Sequence, residues 1–192
     1  MVTHLQSRPF RFDAARPYTI EEYYGLVEAG LLEENARVEL LNGRIVPMSP
    51  VGPRHHWIVD KMLRAFPEQE KGRFKTSQNR SLPIANRNVP EPDLMLYRIG
   101  SADEQRHVRP EDVFLVVEVA LSTLEDDLNF MANLYRGAKI PEYWVVDLKE
   151  NRLHVFSLEG DRYQEKLLER GRVSLRAFPD VTIDLEDLFG VR

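Results

Sequence analysis

The sequence predicts an α/β fold, a mixed β-sheet flanked by helices with antiparallel hairpins at both ends. Three observations carry this. The run Phe114-Leu115-Val116-Val117-Glu118-Val119-Ala120 is short, β-branched and almost continuously apolar, as a buried central strand is. One helical stretch separates it from a second such run, Glu142-Tyr143-Trp144-Val145-Val146-Asp147, so residues 113–147 read as a strand–helix–strand crossover. Asn42-Gly43 lies between two short apolar runs, and Lys149-Glu150-Asn151 follows the second long one. Both are turn signals, and Asn-Gly is the strongest two-residue hairpin signal.

The elements follow in order. Residues 1–17 read as an extended N-terminal arm punctuated by Pro9 and Pro17, and residues 18–192 as a single domain. Thr19 is a good N-cap for a short helix that opens with Ile20-Glu21-Glu22-Tyr23 and ends near Gly30. Val38–Leu41 and Arg44–Met48 make the first hairpin. Pro50 to Pro53 is a loop. His55 to Phe66 is helical, with Ile58, Val59, Met62, Ala65 and Phe66 on its buried face. Short strands are expected around 73–78 and 80–85, then a turn over 85–90 and a strand over 93–97. The polar stretch 98–112 is the expected flexible loop. After strand 113–120 a helix of about four turns starts at Leu124, capped by Ser122 or Thr123. Glu125, Asp126 and Asp127 suit its positive N-terminal end. Strands 152–158 and 162–168 follow, and 173–189 reads as a short strand and a terminal helical turn.

Bulk properties exclude several classes. A hydrophobic content of 43% and a charged content of 30% over 192 residues are ordinary for a soluble globular chain. There is no cysteine, so thiolate metal sites, cysteine nucleophiles and disulfides are excluded. No apolar run is long enough to span a membrane and Met1 to Phe12 carries no signal-peptide pattern, so the expected compartment is the cytoplasm. A net charge of −5 argues against strong non-specific binding of nucleic acid, which rests on Lys and Arg neutralising phosphates.

Against this background Glu118 stands out. A carboxylate inside a buried strand is costly unless a cation or a partner offsets its charge. Upstream, Glu91-Pro92-Asp93-Leu94-Met95-Leu96 sets a second carboxylate at the mouth of another apolar strand. Two strands delivering two carboxylates outline a metal-dependent site.

From about Tyr18 to Phe156 the chain resembles the "putative restriction endonuclease" domain family of the restriction-endonuclease-like, or PD-(D/E)XK, superfamily. The resemblance rests on Tyr18-Thr19-Ile20-Glu21-Glu22-Tyr23, on Val38-Glu39-Leu40-Leu41-Asn42-Gly43 with Met48-Ser49-Pro50, and on Gly52-Pro53-Arg54-His55. It continues through Ser77-Gln78-Asn79, Glu91-Pro92-Asp93-Leu94, Val117-Glu118-Val119 and Pro141-Glu142-Tyr143-Trp144-Val145-Val146-Asp147. Each piece is weak alone; their order and spacing are specific. The resemblance implies a restriction-endonuclease-like mixed sheet on which Asp93 and Glu118 bind a divalent metal, magnesium or manganese. It adds Glu39 and Gln78 to the catalytic set, and implies DNA as substrate and a homodimer as an assembly. The chemistry agrees: phosphodiester hydrolysis needs a Lewis acid and an activated water, and hard cations take oxygen ligands.

One feature departs from the pattern. The superfamily places a lysine two positions past the second carboxylate, where Ala120 stands. This family moves that lysine to the following helix, four residues after an aspartate and four before a tyrosine. Here Asp127 and Tyr135 flank Met131. The face Leu124, Leu128, Met131, Tyr135 and Ala138 points at the sheet, so Met131 faces the site without a charge.

Blander readings stand beside these. Asp93 can end a turn, Glu118 can pair with a buried cation, Glu39 can face outward and Gln78 can satisfy a sheet edge. His55 reads either as a hydrogen-bonded helix-start histidine or as a site residue, and Met131 as a core methionine. Lys75, Arg80 and Lys139 are the nearest basic candidates to replace the lysine. Two functions compete: a metal-dependent DNA endonuclease, and a catalytically degenerate nuclease-like module that binds nucleic acid or a protein partner. Hydrolysis of another phosphate ester is a third class. A basic group in the Asp93–Glu118 cleft favours the enzyme; an apolar lid favours the module.

Overall fold

A computed structural model describes residues 16–33 and 36–190. Most of the arm expected over 1–17 lies outside the described residues. Six strands form the main sheet: β3 (Lys75–Gln78), β4 (Leu94–Tyr97), β5 (Val113–Ala120), β6 (Glu142–Asp147), β7 (Arg152–Glu159) and β8 (Arg162–Leu168), in that spatial order. β5 and β6 pair in parallel and every other neighbouring pair is antiparallel. The expected mixed sheet is therefore present, and β5 is central and apolar as its composition requires.

The parallel pair needs a crossover, which residues 124–137 supply. This stretch is not one α-helix. It runs as α-helical Leu124–Asp126, a π-helical turn Asp127–Met131 and α-helical Ala132–Gly137. Nor does Ser122 or Thr123 cap it by accepting from the backbone: the Thr123 hydroxyl donates instead to the Asp127 carboxylate, at 2.8 Å. Met131 and Tyr135 are buried against the sheet, and Leu124, Leu128 and Ala138 pack partly buried beside them.

A long helix, Pro53–Glu70, covers the other face of the sheet. Its periodic residues Ile58, Val59, Met62 and Phe66 are buried among Leu94, Leu115, Val117 and Trp144. The C-terminal strands Arg172–Ser174 and Thr182–Asp184 pair into a small hairpin, one strand more than expected, and Leu185–Phe189 closes the same core.

The N-terminal part forms a third, smaller cluster. Thr19 caps helix Ile20–Glu28 in a full capping box with Glu22. Strands β1 (Val38–Leu41) and β2 (Arg44–Pro47) pair around Asn42 and Gly43, whose φ angles of 51° and 73° are those of the expected primed turn. Gly43 is also sterically required, since a Cβ there would lie 2.5 Å from that of Pro17. The hairpin docks on residues 80–90: Leu40 bridges Val89, and Asn88 accepts from the Asn42 N–H. That stretch holds no strand. Leu82 and Ile84 are buried, but the single bridge Ile84–Asn88 and Ala85 at φ 49° make it a compact turn. Its apolar residues signalled burial, not pairing. The polar stretch 98–112 is anchored by buried Val108 and by the Arg98 N–H donating to Asp112. Among the described residues no helix is long and apolar enough to cross a membrane.

Candidate active site

β4 begins one residue after Asp93, and Leu94 pairs with Val117 across the sheet. That register sets Asp93 opposite Glu118. One hydrogen bond joins them directly, the Asp93 N–H donating to Glu118 Oε2 at 3.3 Å, and the next residue of the strand adds another, the Val119 N–H donating to Asp93 Oδ2 at 2.7 Å. Three other elements converge on the pair. His55, in the first turn of the long helix, brings Nε2 to 3.0 Å from Asp93 Oδ2. The Tyr135 hydroxyl donates to Glu118 Oε1 at 2.9 Å. Glu39, on the first hairpin strand, accepts from the Glu91 N–H at 2.7 Å, which fixes the hairpin over the Pro92-Asp93 corner.

Glu39, His55, Asp93 and Glu118 line one cleft of about 440 Å³, and Tyr135 holds Glu118 from behind it. Among the described residues its wall carries Glu39, Glu91, Asp93, Glu118, Asp126 and Asp127 as acids and only Arg37 and His55 as basic groups. The excess of carboxylates governs the electrostatics. Burial pushes Glu118 well above the usual carboxylate range, and the charges of Asp93, Asp127 and Glu39 raise it further, against the Tyr135 hydrogen bond. Burial also lifts Asp127 up to about 7; the Thr123 hydroxyl opposes this, while Asp93, Asp126 and Glu39 add to it. Glu39 is raised chiefly by burial, with the Glu91 N–H opposing.

The structure brings together Asp93, Glu118 and Glu39 as the sequence suggested, and His55 with them. It does not bring in Gln78, which is exposed on β3 and outside the lining of the cleft. The side chain predicted to join the site sits instead on the sheet edge, paired through its backbone with Leu94. Lys75, Arg80 and Lys139 also stay out: Lys75 is exposed, Arg80 lies over the ring of Tyr97, and Lys139 pairs with Asp161. Met131 does line the cleft and is 6% exposed. Sequence reasoning missed Asp127, taken as a dipole-matching helix residue, and Arg37. The signal for Asp127 was its place four residues before Met131 in the same family spacing.

The donor set is all carboxylate oxygen, which fits a hard divalent cation. Among the described residues no three His, Asp or Glu side chains are gathered closely enough to enclose an ion unaided. Asp93 and Glu118 would offer such an ion one or two carboxylates, the number that magnesium takes while keeping several of its waters.

A sheet with two carboxylates latched across neighbouring strands at the mouth of a cleft defines a nuclease-like α/β fold. The profile described as "Putative restriction endonuclease" (Uma2) matches residues 20–186, and the chain belongs to that family. The chain is similar in fold to the crystal structure of "a putative nuclease belonging to DUF820" from Anabaena variabilis ATCC 29413. The TM-score is 0.72 at 13% identity, over 91% of this chain and 98% of that one. No curated protein matches.

Proposed function

We propose that this chain is a metal-dependent endonuclease that hydrolyses DNA phosphodiester bonds slowly, with Asp93 and Glu118 as ligands of magnesium or manganese. The observation that carries the reading is that backbone N–H groups of Asp93 and Val119 hold the Glu118 and Asp93 carboxylates side by side at the mouth of a cleft despite their mutual repulsion. The family description and the fold likeness support it. Bound there, the cation would supply Lewis acidity toward a phosphoryl oxygen and an acidified water.

The chain's own residues orient this pair. His55 and the Val119 N–H both hold Asp93 Oδ2, and Tyr135 holds Glu118 Oε1. Glu39 is carried into the cleft by the hairpin and faces the same space. The weak point is Met131. A preorganised charged donor is worth roughly 100- to 1000-fold in rate, and no lysine lines this cleft among the described residues. Two copies paired to cut both strands would be the assembly the resemblance implies.

A second reading rests on that same wall. Leu121, Phe130 and Met131 make the side of the cleft apolar where a cation is expected. This favours a catalytically degenerate module that binds nucleic acid or a protein partner. Plasmid cleavage with magnesium or manganese, comparing the native chain with Glu118→Gln, decides between the two. Slow nicking lost in the variant supports the enzyme; no nicking by either chain supports the module.

A further inference from the structure

Asp127 has no part in the family's two-carboxylate pair, yet it is the most enclosed acid of the helical wall. It is 8% exposed and lines the cleft, whereas its neighbour Asp126 lines the cleft from an exposed position. The placement has a cause in the backbone. Residues Asp127–Met131 form a π-helical turn inside the crossover, and such single turns are rare and concentrate at functional sites. Two hydroxyls brace the turn: Tyr143 donates to the Asp127 carbonyl at 3.1 Å, and Thr123 donates to Asp127 Oδ2 at 2.8 Å. Among the described residues nothing donates to the other oxygen, Oδ1. The carboxylate thus has one oxygen held and one open to the cleft, in a wall already crowded with acids whose repulsion a cation would relieve.

We propose that Asp127 is a positioning residue for the cation of this cleft, its open carboxylate oxygen accepting a hydrogen bond from a water in the ion's shell. The inference rests on the metal reading above and deepens it. It agrees with the absence of a three-residue cage among the described residues, because a contact through water needs no direct ligation. It also bears on Met131. Where the family pattern sets a lysine one helical turn further on, this chain keeps the aspartate braced, so a carboxylate acceptor is left to orient water that a lysine donor would otherwise orient.

Groups that hold a metal's outer shell typically change affinity 10- to 100-fold when removed. The test is manganese binding by calorimetry, beside the melting temperature of the metal-free protein, for the native chain, Asp127→Asn, Asp126→Asn and Asp93→Asn. The expected result is that Asp93→Asn abolishes binding, Asp127→Asn weakens it at least tenfold, and Asp126→Asn weakens it less than about threefold. The metal-free Asp127→Asn protein should melt no lower than native, since it loses a repelled charge. Native-like manganese affinity in Asp127→Asn, with Asp93→Asn still inactive in binding, overturns the proposal and leaves the metal reading standing. Equal losses in Asp126→Asn and Asp127→Asn also overturn it, because only the general field of charge would then be at work. No manganese binding by the native chain removes both. Should Asp127→Asn fail to fold, Thr123→Val replaces it: freeing Oδ2 must lower affinity, and an unchanged affinity overturns the proposal.

Discussion

The Tyr135 hydroxyl lies 2.9 Å from Oε1 of Glu118 and donates to it, reaching from the crossover helix to the central strand. Tyr135 is fully buried, while the Glu118 carboxyl that it holds faces the cleft. It ties the helix that closes the sheet topology to the carboxylate that gives the site its character.

Tyr135→Phe removes that donor and leaves the ring. The expected loss of stability is about 1 kcal/mol, the usual net worth of one hydrogen bond. Manganese affinity should fall about tenfold, as for other supports of a ligand. Thermal melts with and without manganese check both effects, and an unaltered affinity would show that Glu118 needs no such support.

Metal should stabilise the fold. Repulsion among Asp93, Glu118, Asp127 and Glu39 burdens the metal-free protein, and a bound cation relieves it. At a concentration about 100 times the dissociation constant, mass action adds roughly 2.7 kcal/mol. Melting temperature in millimolar manganese should therefore rise for the native chain and stay fixed for Asp93→Asn. A native midpoint that does not move would remove the metal site from the account.

The metal-free protein should respond to pH in an unusual direction. Asp127 is lifted from 3.8 to about 7 on folding, and Glu118 is raised as well. A raised carboxyl binds its proton more tightly in the folded state. Its contribution is thus fully present below the unfolded value, near 4, and is lost as pH climbs through about 7. Denaturant titrations of metal-free protein should show stability declining over that window, with Asp127→Asn flattening the decline. A stability that rises steadily from pH 4 to 7 in both chains would contradict the assignment.

Met131→Lys should fold and cut faster. Met131 lines the cleft with a side chain of similar length to lysine, and the surrounding carboxylates would pair with the ammonium. The expected gain in metal-dependent nicking is on the order of 100-fold. A native chain that already cuts efficiently, and a variant no faster, would show that another group supplies the charge.

Much of this was legible in the sequence, for identifiable reasons. β5 and β6 announce themselves because a strand buried on both faces has no polar alternation to obscure it. The Asn42-Gly43 turn is set by φ angles that few residues tolerate. Asp93 and Glu118 could be paired because one is a charge at the mouth of an apolar strand and the other a charge inside one, which needs an explanation wherever it occurs. Asp127 was obscured because an acid at a helix start already has a sufficient local reason, and nothing in the local pattern announces a π turn. Gln78 was misplaced because a short edge strand leaves the direction of its last side chain undetermined by alternation with a buried face. Leu82 and Ile84 misled because burial in a compact turn and burial in a strand leave the same apolar imprint.

The crossover helix divides its labour by residue. Tyr135 and Leu128 pack it on the sheet, while Met131 lines the cleft without bonding to either carboxylate. Position 131 thus serves both the packing and the cleft, and the codons for methionine and lysine, AUG and AAG, differ by a single base. A gene encoding this chain therefore stands one base change from a cation at the wall of the cleft, and the charge of that wall can be reset by a single substitution on the same scaffold.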